Sequence, residues 1–223
     1  MLGLLNDALE DDAIVVGAAG SLPGDLQRLW QVKTPDSYHL EYGYSCMGYE
    51  IAAAVGARLA APRQPVYAMV GDGSYLMLHS ELQTAVQEGI KITVLLFDNA
   101  GFGCINNLQM SQGMGSFCTE NRRRDRDSGT LTGSLVTVDF ARNAESYGCR
   151  AWTVRDETSL LQALREAQAH PGPCLLDIKV LPKTMTHGYD AWWNTGTAQV
   201  ADNPAIEAAA RQVQLQRSKA RQY

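Results

Sequence analysis

Short apolar runs alternate along the chain with longer segments whose apolar residues recur at helical spacing. Runs of five or six apolar residues are typical of strands that are buried on both faces of a sheet. The predicted strands are 12–17, 66–70, 92–97, 150–154 and 174–180, and the predicted helices are 47–61, 74–88, 138–147 and 157–169. Their β-α-β-α order predicts an α/β fold, a doubly wound and mostly parallel sheet with helices on both faces.

Two regions depart from this alternation. Residues 109–136 are rich in Gly, Ser and Arg and show little periodicity, which is typical of a functional or mobile loop. Residues 203–223 predict a solvated helix with its apolar residues on one side. We therefore expect one large domain over residues 1–200, followed by a helical tail over residues 201–223.

Composition and charge exclude several classes of protein. The chain has 223 residues, of which 45% are hydrophobic and 19% charged, so it can bury a sizeable core. Its net charge of −5 argues against a nucleic-acid partner, and its apolar runs are too short to cross a membrane. The five cysteines include no C-x-x-C pair. We expect all five to be buried, unpaired thiols of a cytoplasmic protein.

Polar residues follow two successive predicted strands at their carboxyl ends. Strand 66–70 leads into Gly71-Asp72-Gly73-Ser74, and strand 92–97 leads into Asp98-Asn99. If the two strands are neighbours, about 4.8 Å apart, the side chains of Asp72 and Asn99 can share one cation. Carboxylate and amide oxygens are hard ligands that suit Mg²⁺ or Ca²⁺ rather than zinc.

The residues around Asp72 also suit a phosphate group. A helix that begins at Ser74 offers unpaired N–H groups and the positive end of its dipole, and Gly71 and Gly73 allow a close approach of the backbone. Asp-Gly after a strand is also a common simple turn. The asparagine at the end of the next strand favours a site for Mg²⁺ and a diphosphate.

These residues resemble the metal–diphosphate motif of the thiamine-diphosphate enzymes, a GDG followed by NN. Tyr44-Ser45-Cys46-Met47-Gly48, with the helix after it, is similar to the GxMG segment of the same family. The resemblance covers about residues 12–180 and implies the thiamine-diphosphate-binding fold, with thiamine diphosphate and Mg²⁺ as cofactors. Two positions depart from the pattern, because Asp98 replaces the first Asn of NN and Ser45 replaces a glycine.

The resemblance also implies a role for each of these residues. The side chains of Asp72 and Asn99 and the carbonyl of Gly101 would hold Mg²⁺. Met47 would be a wedge beneath the cofactor, and the Ser45 carbonyl would accept a hydrogen bond from its aminopyrimidine. The other residues that would lie against the cofactor, beside Asn99 and Gly101, are Gly20, Ser21, Leu22, Gly71, Gly73 and Ser74.

Within that family, further segments resemble the ring-opening hydrolases of myo-inositol catabolism. They are residues 41–50, 97–109 and 181–189, with Gly115-Ser116-Phe117 and Trp192-Trp193. This resemblance implies that the parent enzyme takes a cyclic 1,2-dione as substrate and cleaves the C–C bond beside a carbonyl. Water is consumed in the reaction, and an open-chain deoxyuronic acid (5-deoxyglucuronate) is released.

The catalytic glutamate of this family lies in a separate pyrimidine-binding domain, and a second domain pattern is absent from this chain. We therefore expect a carboxyl-terminal fragment of a longer enzyme, inactive alone. Its partner would be the pyrimidine-binding domain of the same or another subunit, within a homo-oligomer (dimer or tetramer). Two alternatives remain open, the diphosphate-binding subunit of a split decarboxylase or oxidoreductase, and a non-catalytic assembly module. Asp72 and Asn99 argue against the second.

The histidines and one charged segment give weaker indications. His39 and His187 flank segments that could approach a substrate, whereas His79 within a helix and His170 at a helix end are expected to be structural. The mixed charges of residues 122–127 predict a solvated lid.

Overall fold

The computed structural model describes residues 1–41, 43–183 and 196–219. In these ranges six parallel strands form one sheet in the order β2-β1-β3-β4-β6-β5. The strands are β1 Ile14–Gly17, β2 Tyr38–Leu40, β3 Val66–Gly71, β4 Thr93–Asp98, β5 Arg150–Val154 and β6 Cys174–Lys179. The five strands predicted from the sequence are confirmed, and their parallel pairing confirms the predicted fold class.

Helices connect these strands. They are α1 Leu2–Ala8, α2 Ser21–Leu29, α3 Tyr49–Ala60, α4 Asp72–Leu78, α5 Glu81–Gln87, α6 Gly103–Ser111, α7 Phe140–Ser146, α8 Glu157–Ala169 and α9 Pro204–Lys219. Helices α3, α7, α8 and α9 confirm predictions to within a few residues. Helix α3 begins two residues later than predicted, so Met47 precedes it.

The single helix predicted over 74–88 is wrong, because two helices, α4 and α5, cover this region. Between them the N–H of Leu82 donates to the His79 carbonyl and the N–H of Gln83 donates to the Ser80 carbonyl. These i to i+3 bonds tighten the chain into a turn. At the turn, the His79 ring stacks on Tyr75 and its Nδ1 lies 3.0 Å from the Tyr147 hydroxyl.

Four elements have no counterpart among the predictions. Helices α1 and α6 are short, α2 includes Pro23 and Gly24, and β2 has three residues at the edge of the sheet. None of them carries a long apolar period. The rest of the predicted loop, from residue 112 to 136, forms no helix or strand but makes antiparallel bridges, Gly101 with Glu120 and Arg122 with Leu135.

Side chains of the central strands alternate between two hydrophobic clusters, one on each face of the sheet. Val94 and Leu96 pack with residues of α3, α5 and α7, whereas Leu95 and Phe97 pack with residues of α1, α2 and α8. Both faces are therefore covered by helices, which explains why the strands read as continuous apolar runs. This arrangement is the predicted doubly wound fold.

The other general predictions have mixed outcomes. Helix α9 has no buried residue, as expected of a solvated tail. All five cysteines are free, which confirms that none forms a disulfide, but the prediction that all are buried is wrong. Cys46 and Cys118 are exposed because they lie in loops outside both clusters. In the described ranges, no helix combines the length and hydropathy needed to cross a bilayer. His187 and Trp192-Trp193 lie outside the described residues.

We expect Leu95→Ala to destabilise the chain strongly. Leu95 is fully buried on the central strand β4, so its truncation removes apolar contacts and leaves a cavity, which costs about 2–5 kcal/mol. Urea unfolding measures the loss. Leu59→Ala is the matched control, because Leu59 is 64% exposed on α3. Equal losses in the two variants would contradict this assignment of the core.

Candidate functional site

The chain reverses its direction of winding between β1 and β3. From β1 it moves to β2 on one side, and it then returns to β3 on the other side. In open parallel sheets, ligands bind in the crevice at the carboxyl ends of the strands at such a point. The segments that follow β1, β3 and β4 therefore form the candidate site.

Three oxygen atoms converge beyond β3 and β4. The register pairs Gly71 with Phe97, so Asp72 and Asn99 leave the sheet at the same edge. The carboxamide oxygen of Asn99 faces the carbonyl oxygen of Gly101 at 2.8 Å and Oδ1 of Asp72 at 3.1 Å. If the carboxamide were rotated by a half-turn, its NH₂ group would donate to both atoms. In the present orientation, a cation that lies among the three oxygens would compensate their mutual repulsion.

The spacing of these oxygens suits a magnesium ion. Octahedral Mg²⁺ binds oxygen at 2.0–2.1 Å, which places neighbouring ligands about 2.9 Å apart. Asp72, Asn99 and Gly101 supply a carboxylate, an amide and a carbonyl oxygen, which are hard ligands. In the described part of the chain, no group of three or more His, Cys, Asp or Glu could hold a metal ion. The candidate metal site is the set formed by Asp72, Asn99 and the Gly101 carbonyl.

The Asp72 carboxylate is fully buried. Its side chain accepts long hydrogen bonds from the N–H of Asn99 (3.4 Å) and from Nδ2 of Asn121 (3.3 Å). Burial, and then the charge of Asp98, raise its pKa to about 7, although backbone N–H groups of Asn99 and Gly101 act in the opposite direction. A cation at this position would compensate a charge that the protein's own donors compensate weakly.

Asp98 points to a different partner. One of its oxygens lies 2.6 Å from Nζ of Lys179, and the other accepts from the N–H of Ala100 at 3.0 Å. Lys179 also lies 2.8 Å from Asp177, which is fully buried. The acidic residue that replaces the expected asparagine is thus paired with a lysine from the neighbouring strand β6.

Close packing explains two glycines of the site and a third that the sequence did not single out. A Cβ on Gly73 would lie 2.8 Å from the Phe102 ring, and one on Gly103 would lie 2.6 Å from Nδ2 of Asn99. A Cβ on Gly101 would collide with the carbonyl oxygen of Thr119. By contrast, no neighbouring atom lies within 4 Å of a Cβ built on Gly71.

Asn121 is a site residue that the sequence reasoning missed. Its N–H donates to the carbonyl of Ala100 at 2.9 Å, and its side chain reaches Asp72. Nearby, the N–H of Phe102 donates to the Thr119 carbonyl at 2.8 Å. The loop, whose sequence shows little periodicity, therefore covers the turn after β4, and no local pattern in its sequence signals this contact.

The segment before α3 has two residues in the left-handed region. Ser45 has φ +54° and Gly48 has φ +86°, a conformation that favours glycine, so the glycine of the family pattern fits the Ser45 position. The Glu41 carboxylate accepts from the N–H groups of Tyr44 and Cys46 at 3.0 and 2.6 Å. Met47 is half-buried in this turn.

Gly20, Ser21 and Leu22, which the resemblance places against the cofactor, form the start of a helix. Gly20 has φ +92° and is the N-cap of α2, and Ser21 and Leu22 form its first turn. A cavity of about 320 Å³ brings this turn together with the end of β4. Its lining residues are Met1, Leu2, Ser21, Leu22, Asp25, Leu29, Phe97, Asn99, Val180 and Leu181.

The hydroxyl of Ser74 is occupied within the protein. Its oxygen accepts from the N–H of Gly48 at 2.7 Å, and it donates to the carboxylate of Glu50. A serine hydroxyl has a single proton to donate, so any contact between Ser74 and an anion has to come from its backbone N–H.

Among the described histidines, none enters this site. His39 is exposed on the edge strand β2, and His79 lies between α4 and Tyr147. His170 ends α8 at the opposite, amino-terminal side of the sheet.

Asp72→Asn should stabilise the metal-free chain at alkaline pH. Because the folded-state pKa is raised from 3.8 to about 7, the folded chain binds the proton more tightly than the unfolded chain. Its stability therefore falls as pH rises from about 4 to about 7. The uncharged variant escapes this loss, so its free energy of unfolding should exceed that of the wild type by about 2–4 kcal/mol at pH 8. The difference should shrink towards pH 4.

Urea unfolding in the presence of EDTA, at pH 8 and at pH 4.5, measures this difference. Asp127→Asn is the control, because Asp127 is an exposed carboxylate of the loop. A gain for Asp72→Asn that does not change with pH would contradict the assigned cause.

Comparison with known proteins identifies the family. Residues 18–178 match the family model described as thiamine pyrophosphate enzyme, C-terminal TPP binding domain. A 3D-(3,5/4)-trihydroxycyclohexane-1,2-dione hydrolase of Geobacillus thermodenitrificans is 56% identical over 223 residues, which are 100% of this chain and 35% of that protein. The hydrolase of that name from Clostridium perfringens is 57% identical over 222 residues, again 100% of this chain and 35% of the relative.

A solved structure supports the same grouping. The thiamine diphosphate-dependent 4-hydroxybenzoylformate decarboxylase of Rhodococcus jostii is 26% identical, with a TM-score of 0.67 over 81% of this chain and 31% of the decarboxylase. The chain thus spans about a third of the length of the proteins that it matches. It belongs to the thiamine pyrophosphate enzymes, and its residues 18–178 are a C-terminal TPP-binding domain of that family.

Proposed function

We propose that Asp72, Asn99 and the carbonyl of Gly101 bind Mg²⁺, and that the ion anchors the diphosphate of thiamine diphosphate. The observation that carries the proposal is that one end of the Asn99 carboxamide lies 2.8 Å from the Gly101 carbonyl oxygen and 3.1 Å from Oδ1 of Asp72. Such an approach is unfavourable without a cation or a turned amide. Three protein ligands leave half of an octahedral shell open for diphosphate oxygens.

For the remaining contacts of the cofactor, the proposal rests on the resemblance to the family. Gly20, Ser21 and Leu22 form the helix start beside the cavity, and Gly71, Gly73 and Ser74 surround Asp72. Ser74 would contribute its backbone N–H, because its hydroxyl proton is donated to Glu50. Met47 would support the cofactor from below, and the carbonyl of Ser45 would accept from the aminopyrimidine.

For the whole protein we propose ring-opening hydrolysis of trihydroxycyclohexane-1,2-dione, a step of myo-inositol catabolism that yields 5-deoxyglucuronate. Support comes from two relatives named for this substrate, at 56% and 57% identity over the whole chain. Thiamine diphosphate, when bound, supplies an electron sink for cleavage of a C–C bond beside a carbonyl. The activating glutamate would come from a pyrimidine-binding domain of the same or another subunit of a homo-oligomer.

The alternatives have weaker support. One solved relative is a decarboxylase, but it is 26% identical to this chain, against 56% for the hydrolase. An assembly module would have no need of the converging oxygens.

We also propose that residues 1–200 form one domain, that residues 201–223 form a tail, and that the protein is cytoplasmic. The free cysteines support the location, and the absence of buried residues in α9 supports the tail.

We expect the chain to bind thiamine diphosphate only when Mg²⁺ is present. Isothermal titration calorimetry should detect heat with both ligands together, and EDTA should abolish it. Asp72→Ala should also abolish binding, because it removes the charged ligand of the ion. Asp127→Ala is the control, and it should bind as the wild type does.

Two outcomes would contradict this proposal. One is an unchanged affinity of Asp72→Ala, which would remove the carboxylate from the metal site. The other is cofactor binding by the wild type that EDTA does not affect, which would separate the diphosphate from any divalent ion.

A further inference from the structure

Glu50 is a buried carboxylate that the proposed metal shell does not use. It lies in the first turn of α3 and is 1% exposed. The removal of a carboxylate from water costs several kcal/mol unless donors surround the charge. The buried carboxylate of Glu50 therefore needs hydrogen-bond donors around it.

Hydroxyl and amide donors surround this carboxylate. Ser74 Oγ lies 2.9 Å from Oε1 and 2.8 Å from Oε2 of Glu50. Burial raises the pKa of Glu50, while hydrogen bonds from Ser74, from its own N–H and from the N–H groups of Ala19 and Gly48 act to lower it. The position at the start of a 12-residue helix also favours a negative charge.

These partners come from three separate segments of the candidate site. Ala19 follows β1 and directly precedes Gly20. Gly48 directly follows Met47, and Ser74 lies two residues after Asp72. Gly48 and Ser74 are also bonded to each other, through the N–H of Gly48 and Oγ of Ser74 at 2.7 Å. Glu50 and Ser74 thus link the segment that precedes α3 to the segment that follows β3, and the N–H of Ala19, after β1, favours the charged form of Glu50 by lowering its pKa.

We propose that Glu50 is a positioning residue that holds these three segments in their mutual arrangement before the cofactor binds. The proposal deepens the proposed function and rests on it, because the three segments carry the residues expected to contact thiamine diphosphate. Ser74 transmits the effect, since its hydroxyl accepts from one segment while it donates to Glu50. A cofactor that binds prearranged segments loses less free energy in ordering them.

Glu50→Gln tests the proposal with little change in volume. The glutamine places an NH₂ group where the carboxylate accepted from N–H donors, so at least one donor loses its acceptor. We expect amide hydrogen exchange at Ala19 and Gly48 to accelerate about tenfold or more in the cofactor-free chain. We expect the Kd for thiamine diphosphate with Mg²⁺ to rise by about the same factor.

Two further variants separate positioning from general stability. Glu88→Gln is the matched control, because Glu88 is an exposed glutamate at the end of α5, and it should change neither readout. Ser74→Thr keeps the bridging hydroxyl, whereas Ser74→Ala removes it. In a double-mutant cycle, Glu50→Gln with Ser74→Ala should weaken binding no more than the stronger single change, because both break one network.

The outcomes distinguish this proposal from the proposed function. A lower melting temperature in Glu50→Gln with unchanged exchange at Ala19 and Gly48 would overturn the positioning role. If the wild type bound no cofactor, the proposed function would fail, and with it the cofactor part of this proposal, while the exchange readout would still test the contacts of Glu50. If Glu50→Gln did not fold, unchanged exchange at Gly48 in Ser74→Ala would overturn it.

Discussion

The parallel pairing of β3 with β4 is the constraint on which the site depends. Its register pairs Gly71 with Phe97, and the residues that follow therefore leave the sheet at one edge. Asp72 and Asn99, 27 positions apart in the sequence, are thereby brought to the same point in space. The strands themselves are held by apolar side chains on both faces, so packing far from the site fixes the distance between its oxygens.

Around that edge, the fold provides a second layer that keeps the turns in place. The segment 116–122 bonds to the turn after β4 through Thr119 and Asn121. A Cβ at position 101 would collide with the Thr119 backbone, so this position requires glycine. Asp98 forms an ion pair with Lys179 of β6. These contacts hold the turn that carries the Gly101 carbonyl and the Asn99 amide. A binding site on loops gains precision when a rigid scaffold supports it in this way.

The sequence predicts those parts of the fold that depend on local pattern. Strands such as 92–97 are continuous apolar runs and helices such as 157–169 have a strong helical period, and the positions of both are confirmed. Asp72 and Asn99 could be paired because strand ends and βαβ topology imply their approach. Asn121 and Glu50 could not be found in this way. Their partners lie 49 and 24 residues away, and such contacts depend on how the loops fold over the sheet.

The surroundings of the buried carboxylates indicate which of them would bind a cation. The described residues include three, Glu50, Asp72 and Asp177. Asp177 faces the ammonium group of Lys179 at 2.8 Å, and Glu50 faces a hydroxyl and amide donors. Asp72 accepts long hydrogen bonds, and in the present orientation of the Asn99 carboxamide it faces the amide oxygen. A buried charge beside other acceptors is unfavourable for the protein alone. The same arrangement becomes favourable once a positive ion lies between the acceptors. Asp72, the buried carboxylate that destabilises the chain alone, is therefore the one suited to act as a metal ligand.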